Sequence, residues 1–160
     1  MTSLIAALAG LPAELRTFLV ATLPIIELRG AIPVGLYLGL SPWEAIFWST
    51  LGNLAPIPLL LAGLLAARRW ARHWPLVGPI LAWIERRVER HRGQVDRYGP
   101  WGLALFVGVP LPGSGAWTGA AIAALLDLPL GRATLAIIAG VIIAGALVGL
   151  LSTLGWLALR

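Results

Sequence analysis

The chain contains no cysteine and no lysine, and only 12% of its residues are charged. The absence of cysteine excludes disulfides and thiolate metal sites, and it leaves the redox compartment open. A soluble domain carries about 25% charged residues, so this low charge excludes an ordinary soluble fold. With 59% hydrophobic residues and a mean hydropathy of +0.87, the sequence indicates an integral membrane protein.

The positive charge is concentrated in one polar segment, residues 68–97. It holds eight arginines against three carboxylates, which accounts for the whole net charge of +5. Short arginine-rich loops stay in the cytoplasm. The stretch GPILAWIERRVERHRGQV (78–95) spaces its apolar residues at a helical period, which predicts an amphipathic helix on the anionic inner leaflet. The alternative is a solvated loop helix. Both histidines, His73 and His91, belong to this segment, and we expect them at the surface.

A shift of 88 residues aligns two halves of the chain, 11–67 and 98–160. Under this shift Pro12 falls on Pro100 and Pro24 on Pro112. Each half predicts a short helix, a tip broken by proline and glycine, a second short helix and a long apolar run. In the first half these are 12–23, 24–30, 31–40 and 42–67, and in the second they are 100–111, 110–115, 116–127 and 131–159.

Helix length decides what these pieces do in a membrane. Twelve residues span roughly 18 Å, against a hydrocarbon core of about 30 Å, so the short helices pass the midplane without crossing. The long runs cross, and Pro56 and Pro58 are expected to kink the first. Each half is therefore a re-entrant helical hairpin plus one transmembrane helix. One crossing per half makes the halves inverted repeats, with both termini outside. The alternative for 100–127 is a single kinked span.

The stretch LPIIELRGAIPVG (23–35) places Glu27 and Arg29 beside the first tip. A charge at the bilayer centre costs about 2.5–3.5 kcal/mol on insertion scales, so such residues normally pair or mark a pathway. Desolvation favours the protonated carboxyl, so Glu27 is a candidate proton carrier. Arg29 stays charged and can hold an anionic head group. The alternative is a structural Glu27–Arg29 pair. Asn53, in the first long run, is expected to form a cross-helix hydrogen bond.

The second hairpin, LFVGVPLPGSGAWTGAAIAALL (105–126), offers a complementary group. Gly113, Ser114 and Gly115 expose backbone N–H groups, and the following helix points its positive end at the midplane, which suits an anion. Ser114 and Thr118 add hydroxyls. Trp117 can stack on a ligand or pack. No metal site and no cofactor is predicted.

Two motifs resemble a known family. ELRGAIP (27–33) and PLPGSGAWTGA (110–120) are similar to signatures of the small multidrug export protein family, which itself resembles the wider DedA superfamily of bacterial membrane proteins. The resemblance covers essentially the whole chain and implies paired re-entrant hairpins. The positions that it implicates are Glu27, Arg29, Gly30 and Pro33 in the first hairpin, and Pro110, Pro112, Gly113, Gly115, Trp117, Thr118 and Gly119 in the second.

The same resemblance implies a function. DedA-like relatives are associated with transport driven by the proton motive force and with translocation of lipid carriers such as undecaprenyl phosphate. Many of them carry charged residues in the second hairpin, whereas 105–126 has none, so an anionic head group would depend on Arg29 and on backbone N–H groups.

We therefore expect a proton-coupled transporter or flippase in a bacterial or archaeal cytoplasmic membrane, with its site between the hairpin tips. Its substrate would be a small amphiphile or an anionic lipid carrier. The alternatives are a drug exporter, a structural assembly factor and a lipid-phosphate enzyme. Enzymatic activity is not expected, because Glu27 is the only carboxylate near a tip. The partners are the lipid bilayer, protons and a second copy packed through Gly145 and Gly149, with no nucleic acid.

Overall fold

The computed structural model describes residues 10–71, 73–75, 77–80, 82–83, 86, 92–111 and 113–158, and the regular elements in these ranges are helices. Eight of the 18 residues of the predicted amphipathic helix, 78–95, lie outside the described residues, so the helix as a whole stays a prediction. The helices used below are α1 (Ala13–Ala21), α2 (Glu27–Tyr37), α3 (Pro42–Leu54), α4 (Ile57–Ala71), α5 (Arg92–Gly108), α6 (Ala116–Leu125) and α7 (Leu130–Ala158).

Two helical runs within the described ranges are long and apolar enough to cross a membrane. Pro42–Ala71 has 30 residues with a mean hydropathy of 1.7, and Leu130–Gly155 has 26 residues with a mean hydropathy of 2.6. The second run lies in the uninterrupted helix α7. The first run breaks between α3 and α4 at Pro56, which has no N–H to continue the helical ladder. The break therefore lies where the sequence predicts a kink.

Large apolar side chains are exposed along both runs. They include Trp43, Phe47 and Leu59 in the first run and Leu135 and Leu151 in α7. A soluble protein rarely exposes many large apolar side chains along one helix, whereas a bilayer supplies an apolar solvent for them.

The first compact unit consists of α1, α2, α3 and the part of α7 from Ile142 onward. Ser41 and Glu44 form a capping box that starts α3, with Pro42 in its first turn. Gly35 of α2 lies where a Cβ would be 3.0 Å from Ala45 Cβ and 3.1 Å from Thr17 Cγ2, so these three helices approach closely.

The second compact unit consists of α4, α5, α6 and α7 up to Val141. Helix α6 packs against both α4 and α5. Gly119 of α6 and Gly140 of α7 both face Val107 of α5, and a Cβ at either glycine would overlap its side chain. Small residues thus let the three helices pack at short distance.

Helices α2 and α6 end in the same way, 88 residues apart. Leu38 N–H donates to the Val34 carbonyl and Leu40 N–H to the Gly35 carbonyl, at 2.9 and 3.0 Å. The equivalent bonds join Leu126 to Ile122 and Leu128 to Ala123, at 2.9 and 3.0 Å. Between each pair lies a residue in the left-handed region, Gly39 with φ +91° and Asp127 with φ +55°. Both helix ends are Schellman-type caps in one register.

Two helix starts differ from the sequence-based expectation. Helix α2 begins at Glu27, so the first tip is residues 22–26 and Gly30 is helical. Gly30 is needed for space, because a Cβ there would overlap the side chain of Ile26, and not for a chain reversal. Helix α5 begins at Arg92 and contains Pro100, which was predicted to start it. Proline removes one helical hydrogen bond, but a helix of 17 residues keeps the others.

Candidate functional site

Glu27 is a buried carboxylate at the start of the 11-residue helix α2. It is 6% exposed, and its φ of +49° lies in the left-handed region. This conformation costs an L-residue other than glycine about 1–2 kcal/mol. The Glu27 N–H donates to the Leu23 carbonyl at 2.9 Å, which fixes the turn over residues 22–26. Strained backbone of this kind is typical of functional sites and persists only where the surrounding structure holds it.

The other predicted residues of the first hairpin lie along α2. Arg29 is half-buried in the first helical turn, two residues beyond Glu27. Pro33 is exposed inside the helix, and its missing N–H removes the helical hydrogen bond to the Arg29 carbonyl. The structure therefore places one carboxylate and one guanidinium within the first turn of α2. It gives Gly30 a packing role against Ile26.

Ser114 stabilises the turn of the second hairpin. It is 5% exposed, and its hydroxyl lies 2.5 Å from the Val109 carbonyl and 2.9 Å from the Leu111 carbonyl. The same oxygen accepts the Leu111 N–H at 3.2 Å. The Ser114 hydroxyl therefore has a structural role in this turn, whereas its predicted role as a hydrogen-bonding group for a ligand stays a prediction.

The remaining residues of the second hairpin divide into exposed and packed positions. Gly113 is exposed with a φ of +83°, where an L-side chain would be strained. Gly115 is buried and precedes α6, and Gly119 packs on Val107. Thr118 is exposed. Pro110 is half-buried, and Pro112 lies outside the described residues.

Trp117 is half-buried beside an apolar groove on α4. The groove has a volume of about 350 Å³ and is also lined by Pro56, Leu59, Gly63 and Leu64. A packing role for the indole ring is consistent with this lining. The two hairpins belong to different compact units, so the predicted site between their tips stays a prediction.

A larger apolar groove lies within the first unit, between α3 and the second half of α7. Its volume is about 740 Å³, in the range of sites for drug-sized ligands. The lining is almost wholly apolar, with Thr50 and Thr153 as its hydroxyl-bearing residues. The lining residues include Trp43, Ile46, Phe47 and Thr50 on α3, and Ile142, Ala146, Gly149, Leu150 and Thr153 on α7.

Gly145 and Gly149 pack inside the chain. A Cβ at Gly149 would overlap Ile46, and a Cβ at Gly145 would be 3.1 Å from Thr50 Oγ1. The structure therefore gives both glycines a packing role inside the chain, and the predicted dimer contact through them stays a prediction. Small-xxx-small spacing marks close helix packing, and sequence alone does not say whether the partner helix belongs to the same chain.

Two further polar features lie outside the two hairpin motifs. Arg68 of α4, with a side chain 7% exposed, forms an ion pair with Asp127 at the end of α6. On α3, Ser49 and Asn53 are 0% and 1% exposed, and neither Ser49 Oγ nor Asn53 Oδ1 has a hydrogen-bond partner among the described residues. The expected cross-helix hydrogen bond of Asn53 is not found there. Their i, i+4 spacing in an apolar run was the available sequence signal.

The helices, their exposed apolar faces and a buried charge within a short helix define an α-helical membrane protein. The chain belongs to the family described as "Putative small multi-drug export protein", whose model matches residues 27–147. The match begins at Glu27, so it includes both hairpin motifs, and the predicted family is confirmed. No curated protein and no solved structure matches the chain.

Proposed function

We propose that this protein is a proton-coupled exporter of small amphiphilic molecules across a bacterial or archaeal cytoplasmic membrane. The observation that carries the proposal is Glu27, a carboxylate 6% exposed in strained backbone at the start of the 11-residue helix α2. Ionisable residues at membrane depth normally mark a substrate or proton pathway. The family description, which names export, supports the same class of function.

Re-entrant hairpins are supported by the lengths of three of their four helices, whereas the fourth, α5, has 17 residues. Helices α1, α2 and α6 have 9, 11 and 10 residues, so they measure roughly 14–17 Å against a hydrocarbon core of about 30 Å. In the second hairpin, the Arg68–Asp127 ion pair joins the end of α6 to the end of α4. Since the 68–97 segment begins at that end of α4, α6 would return to the side from which α5 enters.

An inverted repeat is supported by the matched ends of α2 and α6. Their capping hydrogen bonds and left-handed residues recur at a shift of 88 residues, the shift that also aligns the prolines. If each half contains one hairpin that returns and one helix that crosses, the halves are oppositely oriented. Such repeats are a transporter architecture. In this topology the 68–97 segment is cytoplasmic and both termini are outside.

In the proposed mechanism Glu27 carries the coupling proton, and Arg29 contacts the anionic group of those substrates that have one. Protonation would discharge the buried carboxylate and lower the cost of its movement through an apolar environment. Arg29 is two residues away in the same turn, so its cation would sense that change of charge. No catalytic step is assigned to either residue. The groove of about 740 Å³ in the first unit is a candidate entry surface for an apolar substrate.

A second candidate substrate is an anionic lipid carrier of the undecaprenyl phosphate type. Half-buried Arg29 favours it, because a guanidinium binds phosphate in a bidentate fork. The first turn of α6 begins at Ala116 after Gly115 and presents backbone N–H groups, which also suit an anion.

Purified protein in liposomes separates the two substrates. We would measure movement of a fluorescent cationic amphiphile and of a labelled short-chain polyprenyl phosphate for wild type, Arg29→Lys and Arg69→Lys. Arg69 is exposed in the last turn of α4 and serves as the matched control. If wild type and Arg69→Lys move the polyprenyl phosphate and Arg29→Lys does not, the result favours the lipid carrier. If all three proteins move the cationic amphiphile at the same rate, the result favours the exporter. Absence of movement of both probes by wild type would contradict the proposal.

A further inference from the structure

Helix α3 carries two polar side chains on its buried face. Ala45, Ser49, Gly52 and Asn53 are the buried residues of this helix, and α3 packs against α1 and α2. Ser49 Oγ and Asn53 Oδ1 have no hydrogen-bond partner in the part of the chain that the structure describes. A buried polar group is costly unless something pairs with it, above all in a membrane. Both oxygens can accept a hydrogen bond or ligate a cation.

A backbone carbonyl of α1 lies beside Gly52, the residue before Asn53. A Cβ added to Gly52 would overlap the carbonyl of Phe18 and would lie 3.0 Å from the Cβ of Ala21. Since α1 ends at Ala21, Phe18 belongs to its last turn, and the Phe18 carbonyl, which also accepts the Thr22 N–H at 3.3 Å, lies next to this part of α3. The carboxyl end of a helix carries a partial negative charge of roughly half an electron.

Glu27 lies at the same depth as Asn53. Gly35 and Ala45 face each other, and the short connection from α2 to α3 makes these helices antiparallel. Asn53 follows Ala45 by eight residues, and Glu27 precedes Gly35 by eight, which is about 12 Å along each helix axis. A carboxylate, the carboxyl end of α1 and the side-chain oxygen of Asn53 therefore occupy one level of the first unit, and Ser49 lies one helical turn, about 6 Å, away.

We propose that Ser49 Oγ, Asn53 Oδ1 and the terminal carbonyls of α1 bind a small monovalent cation, Na⁺. The negative pole of α1 disfavours an anion at this place. The described residues contain no group of three acidic, histidine or cysteine side chains, so a divalent ion would lack the charged ligands it usually has. Carboxyl ends of half-helices coordinate coupling cations in secondary transporters. The role of this cation in coupling rests on the proposed export function, but its binding does not.

Thermal unfolding of the purified protein in detergent tests the binding. A cation that binds only the folded state raises the unfolding midpoint with the logarithm of its concentration. For wild type we expect a rise of about 3 °C for each tenfold increase in NaCl above the Kd, at ionic strength held constant with choline chloride. Ser49→Ala and Asn53→Leu should lose most of this rise. Ser152→Ala, on the part of α7 in the same unit, is the control and should retain it.

The Ser49→Ala variant keeps the test valid if Asn53→Leu does not fold. The serine change removes one oxygen atom and adds no bulk to the helix. Equal midpoints in NaCl and choline chloride for wild type, or an unchanged Na⁺ effect in Ser49→Ala, would overturn the cation site. Neither result depends on transport. A Na⁺ effect in a protein that moves no probe would instead overturn the export function and leave the cation site standing.

Discussion

Arg68 and Asp127 form an ion pair that joins the end of α4 to the end of α6. The two partners differ in environment, since the Arg68 side chain is 7% exposed and that of Asp127 is 64% exposed. Asp127 is also in the left-handed region, with a φ of +55°. Its equivalent under the 88-residue shift is Gly39, for which this conformation carries no steric cost. Aspartate tolerates the region better than most residues do, so the chain keeps both the cap and the ion pair.

Replacing Asp127 by asparagine should destabilise the second unit. Asparagine tolerates the left-handed conformation but removes the charge that faces buried Arg68, and a buried charged donor that loses a partner costs about 1–3 kcal/mol. We expect a lower thermal midpoint in detergent for Asp127→Asn. The exposed neighbour variant Arg69→Gln should leave the midpoint unchanged. Equal midpoints for wild type and Asp127→Asn would show that the pair contributes nothing to stability.

Gly52 and Gly140 should be equally intolerant of alanine. A Cβ at Gly52 would overlap the Phe18 carbonyl, and a Cβ at Gly140 would overlap Val107, so a helix must move in either case. Overpacking of this kind costs about 1–3 kcal/mol. Gly63→Ala is the matched control, because nothing lies within 4 Å of its added Cβ, and alanine is the better helix former.

The stability of these three alanine variants is measured by their folded yield and their thermal unfolding midpoint in detergent. The positions 52 and 140 are 88 residues apart, so similar losses at both would support two halves packed by one rule. A variant at either position that is as stable as Gly63→Ala would contradict the close approach of the helices there.

Topology is testable by cysteine labelling, since the chain has no cysteine of its own. Cysteines placed at Ser3 and Gly93 should react with an impermeant reagent from opposite sides of intact cells. The reason is that the excess positive charge of residues 68–97 retains that segment in the cytoplasm. Ser3 lies outside the described residues, so the sidedness of the N-terminus is purely a sequence-based prediction. Labelling of both positions from one side would refute the inverted arrangement.

Homodimerisation remains a prediction, and the intrachain packing of Gly145 and Gly149 does not support them as its contact. Gly149→Val should lower the thermal midpoint, because the added side chain would overlap Ile46 within the chain. It should not selectively dissociate a dimer. The mass of the purified protein in mild detergent, compared for wild type and Gly149→Val at equal folded yield, checks both statements. If wild type is a dimer and Gly149→Val is folded but monomeric, the result would support the predicted dimer contact through Gly145 and Gly149.

Hydropathy and helix length were sufficient to predict the membrane class and the positions of the apolar runs, because both depend on many residues at once. The break at Pro56 was predictable for a local reason, the missing N–H of proline. The cap at Ser41 and Glu44 was equally readable from the sequence, since a capping box lies within four residues.

The sequence was less informative where the outcome depends on contacts between distant residues. The left-handed conformation of Glu27 has no local signal, because glutamate is not a residue type that prefers it. The Arg68–Asp127 pair joins residues far apart in sequence. The spacing of Gly145 and Gly149 predicted close packing correctly but could not identify Ile46 as the neighbour.

The most direct test of the account is the effect of Glu27→Gln on proton-driven export. Liposomes with purified protein would be given a pH gradient, and movement of a fluorescent cationic amphiphile would be followed for wild type, Glu27→Gln and the control Glu14→Gln. Glutamine keeps the size and hydrogen-bonding capacity of glutamate but cannot release a proton, and Glu14 lies in the first turn of α1 away from the tip. We predict gradient-driven movement in wild type and Glu14→Gln, and its loss in folded Glu27→Gln. Gradient-driven movement by Glu27→Gln at the wild-type rate would contradict the account.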